Sequence, residues 1–421
     1  MKLSTFGQKL GADAGINSLM DDLGEAMASG DEVIMMGGGN PGYLPAVTDR
    51  LQAIAKQLVD DPEQFRRLTG VYDPPQGEKQ FIASLVELLN REYDWGLTPE
   101  NVALTNGSQS AFFMLFNMLA GEHPDGSHKH ILLPLAPEYI GYGDAGLSPG
   151  LFRAVRPEID ELGDRLFKYR VDFSGLDITE DTAAICVSRP TNPTGNVLTD
   201  AEMLGLEELA REHDIPLIVD GAYGTPFPDL MFTEATPRWT PQHILCLSLS
   251  KLGIPAARTG IVIADKPVIR ALSGVNAIIN LATVSFGAML AEPLVRSGEI
   301  ISMSREQVQP AYQRKMEKAV AAFREAMGED CPWRVHTPEG AMFLWLWFPD
   351  LPISSLELYK RLKARGVLVV SGHYFFPGLP DEDWRHRHEC LRVTYSQDEA
   401  DVARGLQVIA EEVKRAWRDQ G

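Results

Sequence analysis

The chain has 421 residues, 44% of them hydrophobic and 23% charged, with a formal net charge of −19 at pH 7. Such a length allows two or three domains around a large core, and the composition is ordinary for a globular protein. The acidic balance argues against binding to nucleic acid or to an anionic membrane surface, and no segment approaches the length of a membrane span.

The middle of the chain alternates between short apolar runs and helix-like segments. The runs are continuously apolar, as expected for strands buried on both faces, and helices between them predict a mostly parallel α/β sheet. One helix is predicted over 110–119 after Gly107, and another from a capping box at Thr199 to about His213. The predicted strands are 102–105, 131–135, 184–188, 216–220, 244–248 and 260–264.

The pattern changes near residue 296. A long amphipathic helix is predicted over 305–327 and a closing helix over 398–417, with strands at 341–348, 367–370 and 390–395. We therefore expect a large domain over 46–295 and a smaller α/β domain over 296–421. Residues 1–45 are expected to form an N-terminal arm that contributes to the smaller domain.

Cysteine usage and the N-terminal residues predict a cytoplasmic location. The four cysteines are scattered without close metal-site spacing, and Cys186 and Cys246 lie inside apolar runs, which predicts buried free thiols in a reducing compartment. The first residues lack an apolar signal core.

One lysine is presented among groups suited to a phosphate. Lys251 follows the strand-like run 244–249, and Ser248, Ser250 and Arg258 surround it in sequence. Most lysines are solvated, but this one follows a buried strand, and the planar guanidinium of arginine can donate twice to a phosphate. This arrangement suggests a Schiff base to pyridoxal 5'-phosphate (PLP).

A second segment could hold the phosphate. A strand ends at Thr105, Gly107 lets the backbone approach a ligand, and a helix then begins at Ser108 and Gln109 with its donors free. By itself such a pattern is more often only a turn followed by a helix cap.

Two further strand ends carry polar groups that the cofactor would need. Asp220 ends a strand, at the edge where parallel sheets bind ligands, and its carboxylate could keep the pyridine nitrogen protonated as an electron sink. Asn192 lies in a loop held by two prolines and a glycine, where it could donate to the ring oxygen. The structural alternatives are an N-cap for Asp220, a rigid turn around Asn192 and simple packing for Tyr223. The joint occurrence of these elements, each at a strand end, favours the cofactor site.

On these residues the chain resembles the fold type I PLP-dependent aminotransferases of the aspartate aminotransferase superfamily, from Phe6 to Trp417. This resemblance implies a large domain with a mostly parallel seven-stranded sheet sandwiched by helices, plus a smaller α/β C-terminal domain. The segments that carry it are 36–42, 104–113, 134–142, 186–196, 339–348 and 372–378.

The resemblance also implies roles for matching residues. Lys251, Asp220 and Tyr223 would be catalytic, and Tyr139 would stack on the ring. Tyr72 would reach the phosphate of the neighbouring subunit, which implies a homodimer with shared active sites. The implied cofactor-binding set is Tyr72, Gly107, Ser108, Gln109, Tyr139, Asn192, Asp220, Tyr223, Ser248, Ser250, Lys251 and Arg258, the implied substrate-binding set is Gly39, Asn192 and Arg392, and no metal is expected.

The implied reaction is transamination between L-valine and pyruvate, giving 3-methyl-2-oxobutanoate and L-alanine. The sequence shows no identifiable second arginine for a side-chain carboxylate, which is compatible with apolar amino acids as substrates. Lys251 and Arg258 are seven residues apart, where aspartate aminotransferases have eight, but some relatives share this spacing. The expected partners are therefore amino acids and 2-oxo acids.

Several alternatives remain open at this point. The same cofactor could serve other small or aromatic amino acids, or a C–S lyase or a synthase acting at the γ-carbon. A PLP-binding transcription regulator would need a basic winged-helix segment that the acidic chain lacks. Residues 386–390 could suggest a zinc site, although a charged loop fits them better. Residues 37–39 lack the lysine of a nucleotide-binding loop.

Overall fold

A computed structural model describes residues 2–11, 24, 33–380 and 383–419. The predicted N-terminal arm over 1–45 therefore lies partly outside the described residues. Within them, the strands form an eight-stranded sheet, a six-stranded sheet and one two-stranded pair. The α/β fold class predicted from the sequence is confirmed.

The eight-stranded sheet has the order β2-β11-β10-β9-β8-β4-β3, with β5 paired to β4. The predicted count of seven is wrong by one strand. The sheet is also more mixed than expected, because β11 runs antiparallel to both of its neighbours. Its strands are β2 (Val102–Thr105), β3 (Gly121–Glu122), β4 (His128–Leu133), β5 (Phe152–Ala154), β8 (Thr182–Ser188), β9 (Leu217–Asp220), β10 (His243–Ser248) and β11 (Gly260–Ile263).

Strand direction determines which loops meet. Strands β4, β8, β9 and β10 are mutually parallel, so their carboxyl ends lie at one edge of the sheet. Strand β2 points the same way, because it is antiparallel to β11, which is itself antiparallel to β10. Strand β11 consequently begins at the edge where the other five end. Ligands of open α/β sheets bind at this edge.

Both faces of this sheet are buried, which explains its continuously apolar strands. Successive residues point to opposite faces, so Val187, Val219 and Leu247 join one hydrophobic cluster. Cys186 and Cys246 join the cluster on the other face. All four cysteines are free and buried, as predicted.

The six-stranded sheet has the order β15-β16-β13-β12-β7-β6. Two of its strands come from 158–170, inside the range assigned to the large domain, so the sheets do not follow the predicted boundary, and the domain division stays a prediction. The predicted strand 367–370 is two strands, because the chain passes there from a pairing with β1 to a pairing with β16. The strands are β1 (Ile34–Met35), β6 (Glu158–Leu162), β7 (Leu166–Arg170), β12 (Arg334–His336), β13 (Phe343–Trp347), β14 (Val367–Leu368), β15 (Val370–Ser371) and β16 (Cys390–Thr394).

The helices cover the sheets and include those predicted. The capping box at Thr199 is confirmed, and the predicted helix 305–327 continues an earlier one through a π-helical turn, Ser304–Val308. No helix among the described residues has both the length and the apolar character needed to cross a membrane. The α-helices are Thr5–Leu10, Pro45–Asp60, Pro62–Gly70, Lys79–Tyr93, Ser108–Leu119, Asp200–Glu212, Lys266–Asn280, Phe286–Ser297, Glu299–Met303, Gln309–Met327, Ser355–Ala364 and Glu399–Arg418, and the 3-10 helices are Pro99–Asn101, Ile140–Tyr142, Phe173–Gly175, Ser250–Leu252, Pro255–Ala257, Gly372–Phe375 and Arg385–His388.

Candidate active site

A cavity of about 210 Å³ lies at the edge where the strands of the large sheet end. It brings together every site residue predicted from the sequence except Gly107, which lies directly beside it, and Tyr72. The predicted residues that line it are Gly39, Ser108, Gln109, Tyr139, Asn192, Asp220, Tyr223, Ser248, Ser250, Lys251, Arg258 and Arg392.

One end of the cavity is built to accept an anion. Helix Ser108–Leu119 begins there, and no side chain of the described part of the chain caps its N-terminus, so its first N–H groups can donate to a ligand. Gly107 precedes it at φ 88°, a conformation that favours glycine. A Cβ at this position would lie 2.1 Å from Nη2 of Arg258, so the absence of a side chain lets the guanidinium reach the helix end.

Lys251 lies between this anion site and the rest of the cavity. Its Nζ donates a hydrogen bond to the backbone oxygen of Gly39 at 2.5 Å and lies 5.2 Å from the centre of the Tyr223 ring. Burial, reinforced by the positive charges of Arg392 and Arg258, lowers the pKa of Lys251 to about 8. The amine is therefore closer to its neutral, nucleophilic form than an exposed lysine at the same pH.

Asp220 is the carboxylate of the cavity, and burial raises its pKa. Tyr142 Oη donates to its Oδ2 at 2.7 Å, and the backbone N–H of Ala222 donates to its Oδ1 at 2.9 Å. Both hydrogen bonds favour the ionised form and oppose the effect of burial. The carboxylate is thus held in one orientation, with the cavity on its open side.

Arg392 on β16 reaches the cavity from the second sheet. Its Nη1 donates to Asn192 Oδ1 at 2.8 Å and its Nη2 donates to the backbone oxygen of Gly37 at 2.6 Å. The guanidinium carbon lies 4.3 Å from the ring centre of Phe343 and 5.0 Å from that of Phe375, so two phenyl rings hold it. Burial lowers its pKa to about 10. Its buried Nε has no hydrogen-bond partner among the described residues.

Tyr139 and Tyr72 differ in their placement. Tyr139 lines the cavity next to Tyr142, with the two ring planes nearly perpendicular. Tyr72 lies away from the cavity and is 81% exposed. In this structure its phenol therefore does not contribute to the cavity of its own chain.

Sequence reasoning missed three residues at this site. Ser188 lines the cavity, Tyr142 donates to Asp220, and Glu138 is buried beside Ser188. Glu138 and Tyr142 belong to a segment quoted for the family resemblance, and Ser188 ends a predicted strand. A buried-strand end is the signal that could have drawn attention to Ser188. No local pattern in the sequence indicates that Glu138 is buried.

The donors of the cavity match the groups of PLP. The uncapped helix N-terminus and Arg258 suit a phosphate dianion. The amine of Lys251 suits an aldehyde, and the carboxylate of Asp220 suits a protonated ring nitrogen. These groups come from the ends of β2 and β9 and from the connection between β10 and β11, all at the same edge of the sheet, so the residues present fit this cofactor.

The segment 386–390, considered above as a zinc site or a charged loop, overlaps the 3-10 helix Arg385–His388 and reaches the first residue of β16. His386 is buried, contacts the hydroxyl of Tyr169 and lies 3.8 Å, through Nε2, from Cys390 Sγ. Across the described ranges, no group of three His, Cys, Asp or Glu side chains is placed to hold a metal ion.

Comparison with known proteins identifies similar chains over the full length. The family model "Aminotransferase class I and II" matches residues 31–409. Valine–pyruvate aminotransferase of Escherichia coli (strain K12) is 46% identical over 420 residues, which cover 100% of both chains. The crystal structure of valine–pyruvate aminotransferase from Salmonella typhimurium LT2 is 46% identical, with a TM-score of 0.88 over 96% of this chain and 100% of that one. A crystal structure from Psychrobacter arcticum 273-4 is 48% identical, with a TM-score of 0.97 over 100% of both chains.

Proposed function

Because this chain belongs to the class I and II aminotransferases, we propose that it transfers the amino group of L-valine to pyruvate. The products are 3-methyl-2-oxobutanoate and L-alanine. The observation that carries this proposal is the 46% identity, over the full length of both chains, to the valine–pyruvate aminotransferase of Escherichia coli. The arrangement of charges in the cavity agrees with it.

PLP is the cofactor of this family, and when bound it supplies an electron-withdrawing ring that stabilises the negative charge left on a substrate carbon. In the proposed site, Arg258 and the N–H groups of Ser108 and Gln109 would hold the phosphate, and Asp220 would hold the ring nitrogen. Tyr139 would pack against the ring, and Asn192 and Tyr223 would donate to its oxygen. Gly107, Ser248 and Ser250 complete the phosphate end.

Lys251 is the proposed nucleophile and proton carrier. Its Nζ would take the proton from the substrate α-carbon as a base and then, as an acid, deliver it to the PLP carbon that takes up the amino group. The pKa of about 8 suits both steps near neutral pH, because neither the neutral nor the charged amine is rare there. The hydrogen bond to Gly39 orients the amine before the substrate arrives.

Arg392 is the proposed clamp for the substrate carboxylate. The phenyl rings of Phe343 and Phe375 keep the guanidinium in place and exclude water from its faces. Among the described residues that line the cavity, the arginines are Arg258 and Arg392. With Arg258 at the phosphate, one of these two arginines remains for the substrate, which favours a monocarboxylic amino acid with an apolar side chain.

A panel of amino donors and 2-oxo acids tests this function. We expect the purified protein with PLP to convert L-valine and pyruvate to L-alanine, and to accept other small apolar donors less well. Such pockets discriminate by only about 1–3 kcal/mol per methylene, so 2-aminobutyrate should react within roughly 10- to 200-fold of valine. L-Aspartate should be a poor donor. The measurement is kcat/KM for each pair of donor and 2-oxo acid. With pyruvate as the acceptor, the reaction is monitored as formation of L-alanine.

Two outcomes would point elsewhere. Faster turnover of aromatic donors than of valine would favour a broader aminotransferase. Release of a thiol or of pyruvate from a sulfur-containing amino acid, without any transfer to a 2-oxo acid, would favour a C–S lyase.

We further propose that the protein is a cytoplasmic homodimer in which Tyr72 completes the partner's phosphate site. Tyr72 is 81% exposed, and Tyr43, Ile278 and Leu281 are also large, exposed side chains, at 71%, 88% and 62%. Exposed apolar side chains of this number favour association, and a two-fold dimer would complete both sites equally.

Mixed dimers test this arrangement. The Tyr72→Ala and Lys251→Ala variants should each be nearly inactive at limiting PLP, whereas a refolded equimolar mixture should regain about a quarter of the wild-type activity. Half of all dimers are then mixed, and each mixed dimer carries one intact site and one doubly altered site. Failure of the mixture to exceed its components, in a protein that sediments as a dimer, would assign Tyr72 to its own chain or to no site.

A further inference from the structure

Glu138 lies buried behind the cofactor cavity, in a position that the proposed reaction does not use. It is 1% exposed and lies between the cis bond at Pro137 and Tyr139. Its backbone N–H donates to the backbone oxygen of Phe375 at 2.8 Å. No cation pairs with its carboxyl group among the contacts of the described residues. An unpaired carboxylate is costly in such a place, so its protonation state needs an explanation.

Four hydrogen-bonding contacts link Glu138 to Asp220. The Ser188 N–H donates to Glu138 Oε1 at 2.8 Å, and Ser188 Oγ lies 2.5 Å from Oε2. Ser188 Oγ also lies 3.4 Å from Tyr142 Oη. Tyr142 Oη in turn donates to Asp220 Oδ2 at 2.7 Å. A continuous path therefore runs from Glu138 through two hydroxyl groups to the carboxylate of the cavity.

A count of protons decides the direction of this path. A serine or tyrosine hydroxyl has one proton to donate. The tyrosine gives its proton to Asp220. If Glu138 were ionised, Ser188 would donate to it, and the contact between the two hydroxyl groups would be left with no proton. If Oε2 of Glu138 carries a proton, every contact has a donor and an acceptor.

The surroundings of Glu138 favour the protonated form. Burial, with a contribution from the negative charge of Asp220, raises its pKa to about 8, although the bonds from Ser188 oppose this shift. The other titratable groups facing it are Tyr142, Tyr139 and Cys186, and burial raises the pKa of each, so all are neutral near pH 7.

We propose that Glu138 is a neutral hydrogen-bond donor that, through Ser188 and Tyr142, positions Asp220 and keeps it ionised for the cofactor ring nitrogen. Glu138 is thus a positioning residue and touches neither substrate nor cofactor. This inference rests on the proposed role of Asp220. Its consequence is that one of two neighbouring buried carboxyl groups stays neutral so that the other can carry the charge.

The test compares two substitutions in the full-length holoenzyme. In Glu138→Gln the amide can still donate to Ser188 Oγ and accept from the Ser188 N–H, so PLP affinity at pH 7 should stay within about threefold of the wild type. The second amide hydrogen would face the backbone N–H of Tyr139, and this contact between two donors accounts for a small loss of PLP affinity. Glu138→Leu removes the donor and should weaken PLP binding at least about tenfold. The measurement is the dissociation constant of PLP, from absorbance and from fluorescence quenching.

The pH profile separates this role from a purely structural one. Folding raises the pKa of Glu138, so its contribution to stability is complete below the ordinary value of 4.5 and is lost as the pH rises through about 8. Relative to Glu138→Gln, which cannot ionise, the wild type should lose thermal stability as the pH rises from 4.5 to about 8, and should lose PLP affinity as the pH rises above about 8. Thermal unfolding of each variant shows whether Glu138→Leu remains folded.

Two controls make the result decisive. Glu292 also accepts a hydrogen bond from a serine hydroxyl, that of Ser84 at 2.9 Å, but it pairs with Arg296 and lies in the helix Phe286–Ser297, whereas Glu138 lies in a loop. Glu292→Gln should leave the pH profile of PLP affinity unchanged. In a Tyr142→Phe background the path is cut, so the Gln and Leu variants at position 138 should bind PLP equally.

The inference is overturned if Glu138→Gln binds PLP as weakly as Glu138→Leu, since the charge would then be what matters. It is equally overturned if both bind as the wild type does, or if their difference persists without the Tyr142 hydroxyl. A wild type that binds no PLP would remove the proposed function, and the inference with it. A wild type that binds PLP while the variants fail these expectations removes the inference alone.

Discussion

Lys251→Ala is expected to abolish transamination while leaving the fold intact. The variant loses both the nucleophile that holds the cofactor and the base that moves the α-proton. General acid–base catalysis alone contributes about 10²- to 10⁴-fold, so kcat should fall by at least about 10⁴-fold when both roles are lost. The measurement is single-turnover conversion of L-valine by the PLP-loaded protein, which separates chemistry from product release.

The fold should tolerate this change for a structural reason. The Lys251 amine makes one described hydrogen bond, to the Gly39 backbone, and burial disfavours its charge. Removing an amine with a lowered pKa relieves that cost, so the thermal stability of the cofactor-free protein should stay the same or rise. Lys56→Ala, at an exposed position of the helix Pro45–Asp60, is the matched control and should keep full activity. Near-normal turnover by Lys251→Ala would contradict the assignment of the proton carrier.

Much of this site could be predicted from the sequence because it is local to strand ends. Asp220 ends β9, Ser248 ends β10 with Lys251 three residues later, and Asn192 follows β8. Buried parallel strands are recognisable as continuous apolar runs, and their carboxyl ends share one edge. A polar residue at such an end is therefore placed in three dimensions by its position in the chain.

The other features of the fold and the site depend on pairings between segments that are distant in sequence. Arg258 reaches the phosphate end because β11 runs antiparallel and begins at that edge, and the local sequence does not encode this direction. Strands β6 and β7 leave the large-domain range to join β12, which no periodicity shows. The network of Glu138, Ser188 and Tyr142 depends on burial from several elements at once. Local patterns fix side-chain faces, whereas tertiary pairing decides which faces meet.

Asp220→Asn is expected to be the second most damaging substitution. Asparagine keeps the size of the side chain and an oxygen to accept from Tyr142, but it removes the charge that the cofactor ring nitrogen needs. Loss of one member of a buried charge pair costs about 3–5 kcal/mol. Turnover and PLP affinity together should therefore fall by roughly 10²- to 10⁴-fold, measured as kcat for valine and as the dissociation constant of PLP.

The pH behaviour of this variant follows from the same carboxylate. Burial raises the pKa of Asp220, so in the cofactor-free protein the neutral form is favoured more than it would be in water. A protonated ring nitrogen beside it reverses this preference, because an opposite charge stabilises the carboxylate. PLP binding by the wild type should therefore release a proton from Asp220 in acidic buffer, and binding by Asp220→Asn should release fewer protons. Asp172→Asn, at an exposed turn, is the control. Equal proton release and equal turnover in Asp220→Asn and the wild type would show that the charge of Asp220 does not serve the cofactor.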